Sequence, residues 1–271
     1  MKKPVWWITG ASSGIGAALA QALAARGADV ILSGRNVQAL NELAYSLAGD
    51  ALVLPFEATD YAALPAITQR ALDWKGRIEG LVNNAGISQR SLAIETDFSV
   101  YENIIGVDLL APIALTQQVL PHMVQAGSGQ IIAISSVAGI AGVPLRSAYC
   151  AAKHGLIGYH DSVRAENEHL GVKILVVAPG SVRTNVSRNA LTADGSKRGE
   201  SDQAIENGMA PSMAADAILA AMDQGTRELI LATGAEQAIA QLRRSDPEAL
   251  FDQVNATVRG GYAAKMNVAR G

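Results

Sequence analysis

Short apolar runs alternate along the chain with longer stretches in which alanine and leucine recur among polar residues. The runs at 5–9, 29–33, 51–55, 80–83, 130–135, 172–178 and 228–232 predict strands. Several are nearly continuous in Val, Ile and Leu, the pattern of strands buried on both faces of a parallel sheet. Between them, residues 14–26, 37–47, 61–74, 100–125, 148–170 and 211–222 predict helices. Strand and helix alternating this often predict one α/β domain: a Rossmann-type, doubly wound parallel sheet of about seven strands with helices on both faces. Residues 182–210, polar and turn-prone around "TADGSKRGESDQ", break the rhythm after a late strand and read as a substrate loop. Residues 233–271 read as a C-terminal helical extension interrupted by "SDP" and "RGG".

Composition narrows the partners. A chain of 271 residues that is 49% hydrophobic and 17% charged buries one large core. Its net charge of −3 and the absence of a basic run argue against nucleic acid as a partner and leave small molecules or other proteins. The single cysteine, Cys150, rules out an intramolecular disulfide framework or a thiolate metal cluster and fits a reducing compartment. The apolar run at 4–8 falls far short of a signal core or a spanning helix. The expectation is therefore a cytoplasmic protein with no integral membrane segment and no metal.

The first strand runs directly into "TGASSGIG", residues 9–16, and then a helix. Gly10 suits a tight turn, Gly14 a close approach of backbone to a pyrophosphate, and Gly16 a close packing of helix on strand. The helix N-terminus adds free N–H groups and a positive dipole end. In this context the loop reads as a dinucleotide site, although glycine-rich turns also occur as plain structure. Its spacing is G-x-x-x-G-x-G rather than G-x-G-x-x-G. At the end of the second strand, "ILSGRN" places Gly34 where NAD sites usually carry an acid, and Arg35 follows. A guanidinium can bind a 2′-phosphate bidentately, so NADP(H) is expected over NAD(H). The alternative is that Arg35 is only a solvated turn residue.

Chemistry enters with "SAYCAAKHG", residues 147–155. Tyr149 and Lys153, four apart on a helix, face the same way. An ammonium about 5 Å from a phenol favours its ionised form by roughly 3 kcal/mol at an effective dielectric near 20, which makes the pair a plausible acid or base. "IIAISS" is a buried strand ending in Ser135 and Ser136, at the edge of the sheet where catalytic groups collect. A hydroxyl at Ser136 can hold a substrate carbonyl while the phenol supplies its proton. Cys150 reads as a small packing residue.

TGASSGIG, then NNAG at 83–86, ISS, YCAAK and APGSVRT at 178–184 together resemble the short-chain dehydrogenase/reductase family over residues 5–232. The resemblance implies that Tyr149 is the general acid/base, that Lys153 activates it and binds the nicotinamide ribose, and that Ser136 polarises the substrate oxygen. For the cofactor it implies Gly10, Ser12, Ser13, Gly14, Ile15 and Gly16 in the first loop and Asn84, Ala85 and Gly86 beside the adenosine. Pro179, Gly180, Val182 and Thr184 would lie near the carboxamide. Glu57 stands where the family usually carries an adenine-contacting aspartate. The implied reaction moves hydride between nicotinamide C4 and a carbonyl carbon, interconverting a ketone and a secondary alcohol.

One position departs. The family asparagine that links the lysine to solvent through water falls on Asp108. Asparagine donates and accepts, whereas ionised aspartate only accepts. Either Asp108 serves the same network with an altered pH optimum, or the relay is impaired and the protein is a slow or inactive NADP(H)-binding sensor or scaffold. The loop "APGSVRTNVSRNALTADGSK" is most similar to the dehydrogenase/reductase member seven branch, which implies a bulky or hydrophobic carbonyl substrate such as a lipid or steroid. A 3-oxoacyl thioester reductase would use the same residues. Gln89, Leu145, Arg146 and residues 186–209 are candidates for lining the pocket, with the Arg146 charge either meeting an acidic group or solvated. Family members pair through the two long helices, so a homodimer or homotetramer is expected.

Overall fold

Alternate residues of each strand go to opposite faces of the sheet, and here both faces are covered. In the computed structural model, which describes residues 2–262, the strands are β1 (Val5–Thr9), β2 (Asp29–Ser33), β3 (Ala51–Val53), β4 (Gly80–Asn83), β5 (Gly129–Ile134), β6 (Val172–Pro179) and β7 (Glu228–Leu231). They form one parallel sheet in the order β3-β2-β1-β4-β5-β6-β7. The helices are α1 (Gly14–Ala25), α2 (Val37–Ser46), α3 (Leu64–Lys75), α4 (Phe98–Ile105), α5 (Ala111–Ala126), α6 (Ser147–Asn167), α7 (Gln203–Glu206), α8 (Pro211–Asp223), α9 (Gly234–Ser245) and α10 (Pro247–Arg259).

The neighbouring tryptophans of β1 show why the strands read as unbroken apolar runs. Trp6 joins Ile8, Val30, Leu32 and Val82 in a core closed by α1 and α8 through Leu19, Leu23, Ile218 and Leu219. Trp7 faces the other way, with Val5, Ile31 and Leu81, into a core closed by α3 and α5 through Leu64, Ile67, Leu115, Val119 and Met123. The inner strands therefore bury both of their faces, as a doubly wound sheet requires, while the edge strands β3 and β7 stay partly exposed. At Gly80, paired with Trp6, a Cβ would stand 2.2 Å from the indole ring, so only glycine admits the ring there. The indole N–H of Trp7 donates to Ser33 Oγ at 2.8 Å, and that hydroxyl donates to the Leu54 carbonyl at 2.7 Å. Both polar groups of this buried pair are thereby satisfied.

Three expected helices differ, the run at 148–170 ending α6 at Asn167 and closing as a 3-10 turn at Glu168–Leu170. The run at 61–74 starts as a 3-10 turn, Tyr61–Ala63, capped by Asp60, before α3 begins. Pro65 in the first turn of α3 needs no N–H there. The run at 100–125 divides into α4, a π-helical turn at Gly106–Leu110 and α5. Pro112 cannot donate to the Asp108 carbonyl four residues back, and the wider turn absorbs that missing bond. The whole stretch Phe98–Ala126 is long and apolar enough to cross a bilayer by length and composition. Here Val100, Ile104, Leu115, Val119 and Met123 of this stretch are packed inside the domain.

The irregular segment after β6 is tied down. Val182 pairs with Met209 and Leu191 with Gln89. Buried Asp202 binds Arg90, Arg146 and Arg198, joining the loop to the segments before α4 and α6. Of the C-terminal extension, α9 and α10 pack together and bury Ala240 and Leu250. Its residues 263–271 lie outside the described residues.

Candidate active site

The motifs singled out in the sequence lie at the C-terminal ends of strands, except YCAAK, which lies on α6. The order of the sheet reverses between β1 and β4, and ligands of such sheets bind outside the strand ends at that crevice. Thr9, the last residue of β1, donates from Oγ1 to the Val82 carbonyl and accepts from the amides of Asn84 and Ala85 at 3.0 and 3.1 Å. The Asn84 side-chain amide in turn donates to the carbonyls of Thr9 and Gly10. Asn84 thus braces the glycine loop. Gly10 has φ +65°, and a Cβ there would meet Asn84 Nδ2 at 2.8 Å. A Cβ on Gly16 would meet the Gly10 carbonyl oxygen at 2.5 Å, so the third glycine, expected to let helix pack on strand, makes room for the glycine loop itself. At Gly14, φ +59°, the Cβ would run into Thr184 Cγ2 at 2.9 Å. That glycine brings the first and last cofactor motifs together as well as opening the loop.

Ser13 at the α1 N-cap makes no side-chain cap bond, so it takes up none of the first-turn amides. A cavity of about 330 Å³ opens here, lined by Gly14, Arg183, Thr184, Asn185 and Arg188 among others. The positive end of α1, the glycines of its loop and the Arg183 and Arg188 guanidiniums fit the phosphates of a dinucleotide, while the Glu206 carboxylate also lines the cavity. Ser12 Oγ is the nearest atom to the place of a Gly34 Cβ, at 3.6 Å, an ordinary contact. Arg35 beyond it is exposed and makes no hydrogen bond or ion pair among the described residues. Glu57 is likewise exposed, in the turn after β3.

The β5 end separates its two serines. Ser135 is buried and donates to the Lys153 carbonyl at 2.9 Å, seating α6 on the sheet. Ser136 is half-buried. Its Oγ accepts from the Ala138 amide at 3.1 Å and donates to the Pro179 carbonyl at 3.4 Å. Gly139 in the next turn lies so close to α6 that a Cβ would fall 2.7 Å from the Lys153 carbonyl oxygen. On α6, Tyr149 is half-buried and Lys153 Nζ stands 5.6 Å from the centre of its ring.

Lys153 does not stand free. Its Nζ donates to the Ile134 carbonyl at 3.1 Å and lies 3.2 Å from Asp108 Oδ2. The π-helical turn delivers Asp108 to this point, where it is 0% exposed and Lys153 only 4%. Asp108 Oδ1 accepts from the Ile87 amide at 2.8 Å, while Oδ2 has the charge of Lys153 beside it without a well-aligned hydrogen bond. A Cβ on Gly86 would fall 2.9 Å from Oδ2, so the NNAG glycine leaves room for the pair. Burial pushes the Asp108 carboxyl above its ordinary value, opposed by Lys153 and the Ile87 amide. Burial disfavours the Lys153 ammonium too, but Asp108 holds it above its usual range.

Residues expected to line a pocket prove to hold the site in place. Gln89 is fully buried. Its Oε1 accepts from the Ala148 amide at 2.7 Å and its Nε2 reaches Ser91 and Ser147, so it caps α6 one residue before Tyr149. Leu145 is 4% exposed with φ +67°, a strained conformation for leucine, and its carbonyl accepts from Ser91 N. Arg146 is paired with Asp202 at 3.2 Å and is not a solvated charge. Tyr101, which donates to or accepts from Ser147 Oγ at 2.8 Å, also steadies this helix start and carried no motif by which to find it. Cys150 is buried, with Sγ 3.3 Å from the Val143 amide, as a packing residue.

A nucleotide-binding sheet with a tyrosine, a lysine and a serine gathered at its C-terminal edge defines a dehydrogenase of the short-chain type. The short chain dehydrogenase family model matches residues 4–195, and the chain belongs to that family. It is 36% identical over 90% of its length to dehydrogenase/reductase SDR family member 7B of Bos taurus, covering 78% of that protein. It is 38% identical over 72% of its length to the Homo sapiens member 7, covering 62% of it. A short-chain dehydrogenase from Streptomyces avermitilis superposes with a TM-score of 0.82 at 30% identity, over 96% of this chain and 98% of that one. A Burkholderia phymatum family member solved in complex with NAD has the same fold, with a TM-score of 0.82 at 22% identity over 92% and 95% of the two chains.

Proposed function

We propose that this protein is an NADP(H)-dependent reductase of bulky or apolar ketones. The observation that carries the reading is the placement of Tyr149, with Lys153 Nζ 5.6 Å from its ring, at the sheet edge that also holds the glycine loop. A bound nicotinamide cofactor supplies the hydride. Tyr149 donates its phenolic proton to the carbonyl oxygen, and Ser136 Oγ turns its hydrogen from the Pro179 carbonyl to the same oxygen. Lys153, oriented by Asp108 and the Ile134 carbonyl, keeps positive charge beside the phenol as the proton leaves. The alcohol formed departs past the loop 182–210.

The preference for NADP(H) rests on Gly34 and Arg35. No carboxylate stands at position 34, and the Arg35 guanidinium is free among the described residues to pair with a 2′-phosphate. An apolar substrate is supported by the apolar cluster against which Tyr149 packs, where Ile87, Tyr101 and Leu109 are, like Tyr149, only partly buried. The relatives' names, dehydrogenase/reductase, agree with carbonyl chemistry. The engagement of Lys153 by Asp108 favours a second reading, a slow enzyme that binds NADP(H) chiefly as a sensor.

A panel of aliphatic, aromatic and steroidal ketones, assayed by loss of reduced-nicotinamide absorbance, tests both. The expected result is turnover of a bulky ketone with NADPH at least about tenfold more efficient than with NADH. Gly34→Asp should reverse that ratio, because a carboxylate there repels the 2′-phosphate. Equal efficiency with the two cofactors contradicts the preference. Tight NADPH binding with no turnover of any ketone favours the sensor.

A further inference from the structure

The first turn of α9 begins Thr233-Gly234-Ala235-Glu236, the spacing at which a glutamate normally folds back to cap its own helix. Glu236 does not. Thr233 makes no side-chain cap bond, and both Glu236 oxygens leave the helix for Ser181, Oε2 accepting from its amide and Oε1 from its hydroxyl, each at 2.7 Å. The approach is close enough that a Cβ on Gly180 would stand 2.2 Å from Oε2. The Ser181 carbonyl accepts from Met209 N at 3.0 Å and the Gly180 amide donates to Leu231 O at 3.0 Å. Pro179 receives the Ser136 hydroxyl. The segment from Pro179 to Val182 is thus pinned from both sides, and one of the pins comes from the C-terminal extension.

We propose that Glu236 is a positioning residue for the nicotinamide cofactor, holding the 179–184 segment so that Val182 and Thr184 meet it. The inference rests on the cofactor reading above. It also accounts for the C-terminal extension, because α9 touches the turn after Ser136 and the loop after β6 at once and so sets the spacing between the two. A carboxylate in a first helical turn lies favourably in the helix dipole, and its oxygens make strong hydrogen bonds with an amide and a hydroxyl.

Equilibrium titration of NADPH, followed by its fluorescence, tests the assignment without relying on turnover. Glu236→Ala should weaken NADPH binding about tenfold, the usual effect of losing hydrogen bonds to a charged group, and raise the cofactor KM more than it lowers kcat. Glu236→Gln should restore most of the affinity, since its amide oxygen can accept from Ser181 N and its amide nitrogen donate to Ser181 Oγ. Arg244→Gln removes the Arg244–Glu228 ion pair that also anchors α9 and should change affinity by no more than about twofold. Glu236→Ala binding as well as wild type, or Arg244→Gln weakening binding equally, overturns the inference. If Glu236→Ala does not fold, Ser181→Ala removes one of the two bonds, and its unchanged affinity overturns the inference instead. Wild-type protein that binds neither NADPH nor NADH would contradict the cofactor reading itself, a failure separate from that of Glu236.

Discussion

Asp108 and Lys153 form a buried ion pair whose members depend on each other. Removing one partner of such a pair strands the other charge and typically costs about 3–5 kcal/mol. Asp108→Ala also leaves the Ile87 amide without its acceptor, so a loss in that range is expected in urea unfolding. Asp108→Asn keeps an oxygen for Ile87 and should lose clearly less. An alanine variant within about 1 kcal/mol of wild type would mean that Lys153 finds another partner. At this scale, the residues that stand close in sequence or at fixed spacing were legible: Tyr149 with Lys153, and the glycines of the first loop. Asp108 was legible as a departure, but not its direct contact with the lysine, because the π-helical turn that delivers it leaves no periodic signature. Gln89 and Arg146 looked like pocket residues since they are polar and near a loop. Their burial is decided by partners distant in the chain, the Ala148 amide 59 residues from Gln89 and Asp202 56 residues from Arg146. Glu236 was invisible for the same reason, its partner lying 55 residues away.

Helix α6 carries Tyr149 and Lys153 at one end and a buried histidine further along. His160 is 0% exposed, with Nδ1 2.9 Å from the Leu156 carbonyl, which requires Nδ1–H, and Nε2 3.5 Å from Asn83 Nδ2. Burial pushes its pKa down to about 4. A group with a folded-state pKa below its unfolded value near 6.5 contributes stability that is complete above 6.5 and is lost as pH falls toward 4. The expected loss over that window is roughly 3 kcal/mol. Urea midpoints at neutral pH and near pH 4.5 should therefore diverge for wild type and converge for His160→Gln. Equal acid sensitivity of the two would assign the loss to other groups. At the scale of elements, strand positions were readable because two-sided burial writes unbroken apolar runs. The breaks at Tyr61–Ala63 and Gly106–Leu110 were not, since a proline in a first turn and a wide turn inside an apolar stretch leave hydrophobic periodicity almost unchanged.

For the molecule as a whole, a parallel sheet sends all its strand ends to one edge, and that geometry assembles the site from segments far apart in the chain. Residues 9–16, 34–35, 83–86, 136, 149–153 and 179–184 converge there although the sequence spreads them over most of its length. Their order along the chain made the family legible; the tie of loop 182–210 through Asp202 and the docking of the C-terminal helices are tertiary facts with no local signal. In the proposed function the edge divides its labour, with glycines and helix end holding the cofactor while Tyr149 moves the proton. The most direct test of that division is Tyr149→Phe, measured for NADPH affinity and for ketone turnover on one preparation. The account predicts affinity within about twofold of wild type and turnover reduced by at least about a hundredfold, the usual worth of a positioned general acid. Turnover retained in the phenylalanine variant would contradict it.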